Sequence, residues 1–283
     1  MANLKEIRKR ISSVQNIKQI TKSMEMVAAA RLAKAADSAK NHYAFLSELK
    51  KMIGRLAGEM NREKFPLFTP PKTGKEAFLV VSSDRGHCGP FNSQIFFRAE
   101  KAFFEKPSES FDLFIAGKKG IDHFKRKKIK AILELKDWSS KHAKSEIDAF
   151  IEKLLKDYES GIYNKITVIY THFISNAARK ILVEPILPLA IPEKSASKKP
   201  LLLEPSVKEL FEKFLPFYFK TSIETILKET YAAELSARVQ SMRAATKNAE
   251  EVIDELTLVR NKLRQSGITT ELLEIITSAE AMK

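Results

Sequence analysis

Two long stretches free of helix-breaking residues, one at each end of the chain, limit the possible folds most strongly. The first glycine is Gly54 and the first proline is Pro66, while after Pro216 only Gly267 interrupts the remaining chain. Both ends are rich in Ala, Lys, Glu and Leu, which favour helices. At ~1.5 Å per residue such helices would reach on the order of 80–100 Å, longer than a compact domain needs.

Apolar residues in both ends recur alternately three and four residues apart. We interpret each series as the a/d seam of a coiled coil, because the stripe is narrower than a globular helix face. One seam near each terminus folds most simply as an antiparallel pair; a larger helical bundle and a homodimeric coiled coil are the alternatives. The predicted seams are Leu4, Ile7, Ile11 and Val14, then, after a phase shift, Ile17, Ile20, Met24 and Val27, and in the other helix Met242, Ala245, Ala249, Val252, Leu256, Val259 and Leu263.

The middle of the chain has the pattern of an α/β domain. The segments EAFLVVSS, SFDLFIAG and KITVIYTHFIS are short and rich in Val, Ile and Phe, which predicts strands. Helices predicted at Asn92–Glu105 and Ala143–Tyr158 separate them, so we expect βαβ units and a mainly parallel sheet, with an edge strand within residues 181–192. The predicted fold class is thus α/β, with domains at residues 1–60 (N-terminal helix), 75–195 (parallel sheet) and 205–283 (C-terminal helix).

The loop SSDRGHCGPFN follows the first predicted strand, where open α/β sheets usually bind ligands. It lacks the G-x-x-x-x-G-K-[ST] phosphate loop and the G-x-G-x-x-G fingerprint, and Pro90 removes one backbone N–H. Catalysis by Cys88 would need a base from elsewhere in the fold rather than the adjacent His87. We expect a tight glycine turn anchored by the side chains of Asp84 and Arg85, without catalytic, cofactor or metal-binding residues.

The chain carries a net charge of +14, which predicts an acidic partner such as nucleic acid, an anionic surface or an acidic protein. The first 35 residues have a net charge of +6, and seven cations fall within residues 118–130. This second cluster fits a solvated helix face, because aromatic residues for base stacking are missing. A basic coiled-coil protein that binds nucleic acid is nevertheless the alternative function.

Two further properties bear on location. A single cysteine, Cys88, excludes an internal disulfide framework and suits a reducing compartment. No apolar run approaches the roughly 20 residues of a membrane helix. We therefore expect a chain that inserts into no membrane and associates with one only through partners.

Both ends and the loop together resemble one family, the gamma subunit of F-type ATP synthases. The stretches LKEIRKRISSVQNIKQITKSMEMVAAARL, SSDRGHCGPFN and RAATKNAEEVIDELTLVRNKLRQSGITTELLEI are similar to its opening helix, its strand-to-helix loop and its C-terminal helix. PILPL and LLEPS resemble landmarks between them. The sequence departs from the usual family residues at His87, Pro90, Lys247 and Arg260.

The resemblance implies a central rotor shaft, an antiparallel coiled coil inside a hexamer of alpha and beta subunits, with a Rossmann-like domain beside the epsilon subunit and the membrane c-ring. It implies no cofactor, no catalytic site and no nucleic acid partner. Such a shaft couples ion-driven rotation to the conformational cycle of the catalytic beta subunits, at the cytoplasmic face of a bacterial inner membrane. The implied partner-contact residues are Met24, Cys88, Arg264 and Gln265.

Overall fold

The computed structural model describes residues 4–57, 65, 67–71, 73–104, 107, 110–140, 143–189 and 207–282. The LLEPS landmark lies outside the described residues, as do His142 and the polar, Lys/Ser-rich sequence EKSASKKP, which we interpret as a linker. The elements in chain order are α1 (Leu4–Ala57), β1 (Lys75–Val81), α2 (Phe91–Phe104), β2 (Phe111–Ala116), α3 (Lys118–Arg126), β3 (Ala131–Leu135), α4 (Lys144–Glu159), β4 (Tyr163–Phe173), β5 (Arg179–Leu187) and α5 (Val207–Ala281).

The chain divides into two compact units. The helical unit consists of Met1–Ala29 with Arg238–Lys283, and the second unit consists of Ala30–Ala237. Because α1 and α5 are 54 and 75 residues long, each contributes residues to both units. The prediction of two long terminal helices around a central α/β region is confirmed.

The helical unit is an antiparallel pair. Lys18 Nζ lies 2.9 Å from a Glu250 carboxylate oxygen, and the Thr21 and Thr246 hydroxyl oxygens are 2.8 Å apart. One turn further along α1, Glu25 accepts a 3.0 Å hydrogen bond from Arg243 Nε. Residue numbers thus fall along α5 as they rise along α1, as in an antiparallel coiled coil.

The seam of α1 follows one uninterrupted heptad pattern, and the predicted phase shift after Val14 is wrong. Ile17, Ile20 and Val27 are exposed, whereas the residues one position later in each case are buried or half-buried. The sequence interpretation skipped polar side chains, which here occupy seam positions. The observed seam is Ile7, Ile11, Val14, Lys18, Thr21, Glu25 and Ala28.

The seam of α5 shows the same effect. Val252 and Val259 are exposed, and Thr246 is more buried than its neighbour Ala245. The predicted seam residues Met242, Ala249, Leu256 and Leu263 are confirmed. The seam residues between them are each one position later than predicted, and they are Thr246, Ile253 and Arg260.

Helix pairing ends near Arg264. In each of the three contacts, the numbers of the two residues add up to 267 or 268. At the same register Leu4, the first described residue of α1, lies opposite residue 263 or 264 of α5. Beyond that point α5 continues, and every residue of Gln265–Ala281 is exposed. We call this segment the tip.

The second unit is built on a five-stranded sheet of order β3-β2-β1-β4-β5. β3, β2, β1 and β4 are parallel, while β5 pairs antiparallel with β4 at one edge. Consecutive parallel strands are joined by helices, as the alternating pattern predicted. The mainly parallel sheet and its edge strand are confirmed.

One strand was missing from the sequence interpretation. β3 has five residues, only Leu135 of which is fully buried, and Lys130 and Lys136 flank it. Such a short edge strand has too few apolar residues to show a clear period. Helices cover both faces of the sheet: α2 and α3 pack on one side with Phe78 and Ile169, and α4 packs on the other with Phe114 and Val168.

Candidate functional site

The loop after β1 is held by the carboxylate of Asp84. Its Oδ1 accepts hydrogen bonds from the backbone N–H of Lys118 at 3.1 Å and of Asp137 at 3.0 Å. Its Oδ2 accepts one from the Ser139 hydroxyl at 3.1 Å. Because these partners follow β2 and β3, one carboxylate ties together the carboxyl ends of three adjacent strands. The predicted anchoring by Asp84 is confirmed.

Arg85 contributes to the turn through its carbonyl oxygen, which accepts a 2.6 Å hydrogen bond from the Ser83 hydroxyl. The guanidinium was predicted to anchor the loop, whereas Arg85 is exposed. Asn92 completes the turn, because its Oδ1 accepts a 3.1 Å hydrogen bond from Ser83 N–H. His87 and Gly89 both have φ near +60°, which makes the turn tight.

Ser82 fills the space at the end of β1. Its hydroxyl donates to the Ala116 carbonyl at 3.1 Å and accepts from Gly120 N–H at 2.9 Å. A Cβ added at Gly117, where φ is +109°, would collide with the Ser82 carbonyl. The Trp138 indole N–H donates to that same carbonyl at 3.1 Å.

These contacts occupy the amino end of α3, where a phosphate would otherwise bind. Lys118, Lys119 and Gly120 direct their N–H groups to Asp84, to the Ser83 carbonyl and to Ser82 respectively. The carboxylate of Asp84 thus occupies the position that a bound phosphate would take. Across the described residues, no group of three or more His, Cys, Asp or Glu side chains is arranged to hold a metal ion.

Cys88, which the resemblance implies as a partner-contact residue, is buried, so its thiol is not on the surface of the loop. It is 2% exposed, with Asn92 Nδ2 lying 3.4 Å from its sulfur. The thiol packs in the core beneath α2, because the positive φ at His87 turns the chain inward. The exposed part of the loop is formed by Arg85, His87, Gly89 and Pro90.

Some basic side chains of residues 118–130 are exposed to solvent, and others form ion pairs. On α3, Ile121 and Phe124 are buried, as expected for one face of a solvated helix. Lys118 Nζ lies 2.7 Å from Asp137, and Lys127 Nζ lies 2.7 Å from Glu100. Hydrogen bonding to Asp137 raises the pKa of Lys118.

Three histidines bind polar partners inside the second unit. His123 Nε2 lies 2.7 Å from Glu100, His172 Nδ1 lies 2.7 Å from Glu229, and Lys228 Nζ lies 2.6 Å from His42 Nε2. Burial raises the pKa of Glu229, and the hydrogen bond with His172 opposes that rise. Burial lowers the pKa of Lys228. Each of these three histidines has a polar partner, and Glu100 contacts Lys127 as well as His123.

The remaining candidate contact residues lie in the helical unit. Met24 is half-buried beside the observed seam, adjacent to Glu25. Arg264 and Gln265 are both exposed, and they lie where helix pairing ends and the tip begins. The structure therefore brings Arg264 and Gln265 together at the base of the tip and places Met24 elsewhere on the pair.

Sequence reasoning missed the charged residues in the seam. Glu25 is buried, and its carboxylate lies 3.0 Å from Arg243 Nε and 3.1 Å from Lys22 Nζ. These hydrogen bonds, that from Arg243 most strongly, lower the pKa of Glu25. A strict heptad count through Ile7, Ile11 and Val14 would have pointed to Glu25 as a seam position despite its charge.

Fold and site together define a class of protein. Its terminal helices form an antiparallel pair, and its Rossmann-like sheet fills the amino end of α3 with its own side chains rather than leaving a phosphate cradle. These are the properties of a coiled-coil protein with a Rossmann-like α/β unit. Within the part of the chain that is described, no helix is both long and apolar enough for a membrane span.

Comparison with known proteins identifies the family. The family described as ATP synthase matches residues 3–282. A protein of Protochlamydia amoebophila named ATP synthase gamma chain is 38% identical over 285 residues, and one of Geotalea daltonii with the same name is 36% identical over 288 residues; both alignments cover 100% of each chain. The chain belongs to the ATP synthase gamma chain family.

Solved structures agree with the fold. A chain of the Euglena gracilis mitochondrial ATP synthase has a TM-score of 0.69 at 17% identity, covering 99% of this chain and 94% of that chain. A chain of the Tetrahymena thermophila mitochondrial ATP synthase central stalk and c-ring has a TM-score of 0.60 at 21% identity, covering 80% and 99%. The predicted rotor-shaft function, which couples ion-driven rotation to the cycle of the beta subunits, is confirmed through the family. Nothing supports nucleic acid binding.

Proposed function

We propose that the chain performs its rotor function through surface contacts alone, without a catalytic site or cofactor of its own. One observation carries this proposal: the tip extends beyond helix pairing with its apolar side chains exposed. An exposed apolar stripe of this kind needs a covering partner. The exposed apolar residues are Ile268, Leu272, Leu273, Ile275 and Ile276.

The partners proposed for the tip are the alpha and beta subunits of the catalytic hexamer. An apolar sleeve formed by those subunits would bury the tip and would penalise unpaired charge. Gln265–Ala281 contains no cation, in contrast to the basic beginning of the chain, and its charges are the carboxylates of Glu271, Glu274 and Glu280. Arg264 and Gln265, at the base of the tip, would contact a loop of one beta subunit by hydrogen bonds.

Weak electrostatic contacts are proposed for the basic part of α1. Arg8 and Lys9 are exposed, whereas Lys18 and Lys22 form ion pairs with Glu250 and Glu25. Exposed ion pairs contribute about 0–1 kcal/mol each, so contacts of Arg8 and Lys9 with acidic beta loops can break and re-form during rotation. Met24 would face the same loops.

The second unit is proposed to bind the epsilon subunit and the membrane c-ring, which makes the protein peripheral to the cytoplasmic face of a bacterial inner membrane. The loop around Cys88 would face the beta subunits through its exposed residues, His87 and Pro90, rather than through the buried thiol. No nucleic acid partner and no direct membrane insertion are proposed.

Reconstitution tests the proposal. The full chain is combined with the alpha, beta and epsilon subunits of its own complex, and co-purification and ATP hydrolysis are measured. Replacing Ile268, Leu272 and Ile275 together by Gln should weaken assembly or coupled hydrolysis by about tenfold or more, because each buried aliphatic side chain contributes about 1.5–3 kcal/mol.

Matched controls lie in the same segment. Replacing Glu271 and Glu274 by Gln changes exposed tip residues without removing apolar surface, and should alter hydrolysis less than about twofold. Replacing Arg264 by Ala should lower the hydrolysis rate while leaving co-purification intact. Equal effects of the apolar and acidic replacements would contradict a buried tip, and nucleotide turnover by the isolated chain would contradict a non-catalytic role.

A further inference from the structure

A cavity of about 330 Å³ lies within the second unit, on the same face of the sheet as α4. Residues within 43–53 of α1 and within 218–229 of α5 form two of its walls, and side chains of β4 and β5 form the third. On each helix the lining residues recur mostly three or four positions apart, so one side of the helix faces the cavity. The volume is in the range of small-molecule sites.

Glu229 places a nearly buried carboxylate in the lining of this cavity. Only 6% of its side chain is exposed, and its Oε2 lies 2.7 Å from His172 Nδ1. Its other oxygen, Oε1, has no hydrogen-bond partner among the described residues, but it keeps accessible surface. A carboxylate oxygen without a partner in such a poorly hydrated place costs free energy, and a donor in the cavity would satisfy it.

A second carboxylate, that of Glu184, lines the same cavity. The strand register places Glu184 opposite Val168, on the same face of the sheet as Tyr170, whose hydroxyl donates a hydrogen bond to it. Burial and then the charge of Glu184 raise the pKa of Glu229, against the opposing effect of His172. Lys50 is the only base among the described lining residues, and it is exposed. The cavity therefore favours a cation, which would stabilise both carboxylates in their charged form.

We propose that this cavity, which we call the tyrosine pocket, binds a small amine that carries an apolar group. Its ammonium group donates a charge-assisted hydrogen bond to Glu229 Oε1, and the charge of Glu184 adds to the attraction. Its apolar group packs against Leu46 and Ile226, which also line the cavity. Aromatic rings attract cations as well. The tyrosines of the lining are Tyr43, Tyr170 and Tyr218.

The tyrosine pocket is separate from the loop held by Asp84 and from the tip. The amine is bound rather than converted, and its binding is independent of the rotor function.

Three probes of nearly the same shape but different charge test the pocket: phenethylamine, which is a cation at pH 7, phenethyl alcohol, which is neutral, and phenylacetate, which is an anion. Their binding to the purified full chain is measured by ligand-observed NMR, at constant ionic strength set with sodium chloride. Phenethylamine should bind about tenfold or more tightly than phenethyl alcohol, because only the amine gains a charge-assisted hydrogen bond. Phenylacetate should bind most weakly.

Variants of the carboxylates locate the binding. Glu229→Gln should weaken binding of phenethylamine about tenfold and leave that of phenethyl alcohol nearly unchanged. Glu184→Gln, at an exposed position, should weaken binding of the amine several-fold, and it carries the test if Glu229→Gln does not fold. Glu48→Gln is the matched charge control, because Glu48 is exposed on α1 outside the lining, and it should change nothing.

A preference for phenethylamine that is reduced in Glu229→Gln or Glu184→Gln supports the tyrosine pocket. The proposal is overturned if none of the three probes binds, or if phenethyl alcohol or phenylacetate binds as tightly as phenethylamine. It is also overturned if Glu184→Gln has no larger effect than Glu48→Gln.

Discussion

Thr21 and Thr246 meet across the helical unit with their hydroxyl oxygens 2.8 Å apart, both buried in the seam. Each hydroxyl also lies within hydrogen-bond distance of a carbonyl oxygen of its own helix, Lys18 O for Thr21 and Met242 O for Thr246. The two hydroxyls have one proton each. To form the bond across the pair, one threonine donates its proton to the other threonine, which then donates its own proton to the carbonyl oxygen of its own helix. The seam thus contains a polar pair that, together with the Glu25–Arg243 hydrogen bond, fixes the register of the two helices.

A double-mutant cycle on this pair should be strongly non-additive. Thr21→Val or Thr246→Val alone should each lower the free energy of unfolding of the helical unit by about 1 kcal/mol, because the hydrogen bond across the pair is lost and the remaining hydroxyl keeps only the carbonyl oxygen of its own helix. The double variant should cost less than the sum of the two, since both polar groups are replaced by side chains of the same shape. Hydrogen exchange of peptides covering residues 15–30 measures the effect, and additive costs would argue against the bond.

The buried carboxylate of Glu25 should make the helical unit sensitive to acid. Its pKa is below the ordinary 4.5, chiefly through the hydrogen bond from Arg243. A lowered folded pKa means that the stabilisation is fully present above pH 4.5 and is lost as the pH falls through the folded value. Glu25→Gln should therefore destabilise the unit by about 1 kcal/mol at pH 7, and the difference from the natural chain should shrink below pH ~4.5.

Hydrogen exchange at a series of pH values, corrected for intrinsic rates, checks this expectation. Glu6→Gln is the control, because Glu6 forms an exposed pair with Arg10 on the same helix, and such pairs contribute little. A destabilisation by Glu25→Gln that persists unchanged at pH 3 would show that the charge of Glu25 is unimportant.

Long-range organisation could be predicted because it depends on spacing. The two long helices and four of the five strands follow from runs of apolar residues and from the scarcity of glycine and proline at both ends, although Gly54 lies within α1 and Pro216 within α5. The register of the seam could not be predicted from the sequence. Thr21 and Glu25 can be buried because they bond to partners on α5, which lie over 200 residues away in the chain. A polar residue at a seam position looks like a break in the pattern until its partner is known.

Burial within loops was equally hidden from the sequence. Cys88 lies in a polar loop, and only the turn through His87 reveals that its thiol faces the core. The bonds from Asp84 to residues after β2 and β3 depend on strand order, which the sequence pattern does not specify.

Burial of Cys88 should make its thiol slow to react. In the full chain, modification by a disulfide reagent should be at least about tenfold slower than in a Cys88→Ser, His87→Cys variant, whose new thiol is on the exposed part of the loop. Unfolding in denaturant should bring the two rates together. Equal rates under native conditions would show that the loop opens readily or that Cys88 is exposed.

Gly117 and Gly267 should respond in opposite directions to the same substitution. Gly117→Ala should destabilise the second unit by about 3 kcal/mol or more, since φ is +109° and the new Cβ would collide with Ser82. Gly267→Ala should stabilise the tip helix by about 1 kcal/mol, because no atom lies within 4 Å of its added Cβ. Thermal unfolding of the purified chains measures the first effect, and hydrogen exchange in Gln265–Ala281 measures the second. If Gly117→Ala leaves the thermal stability unchanged, the ends of β1 and β2 are less closely packed than the contact of Gly117 with Ser82 indicates. If Gly267→Ala leaves hydrogen exchange unchanged, the tip is not helical in the isolated chain.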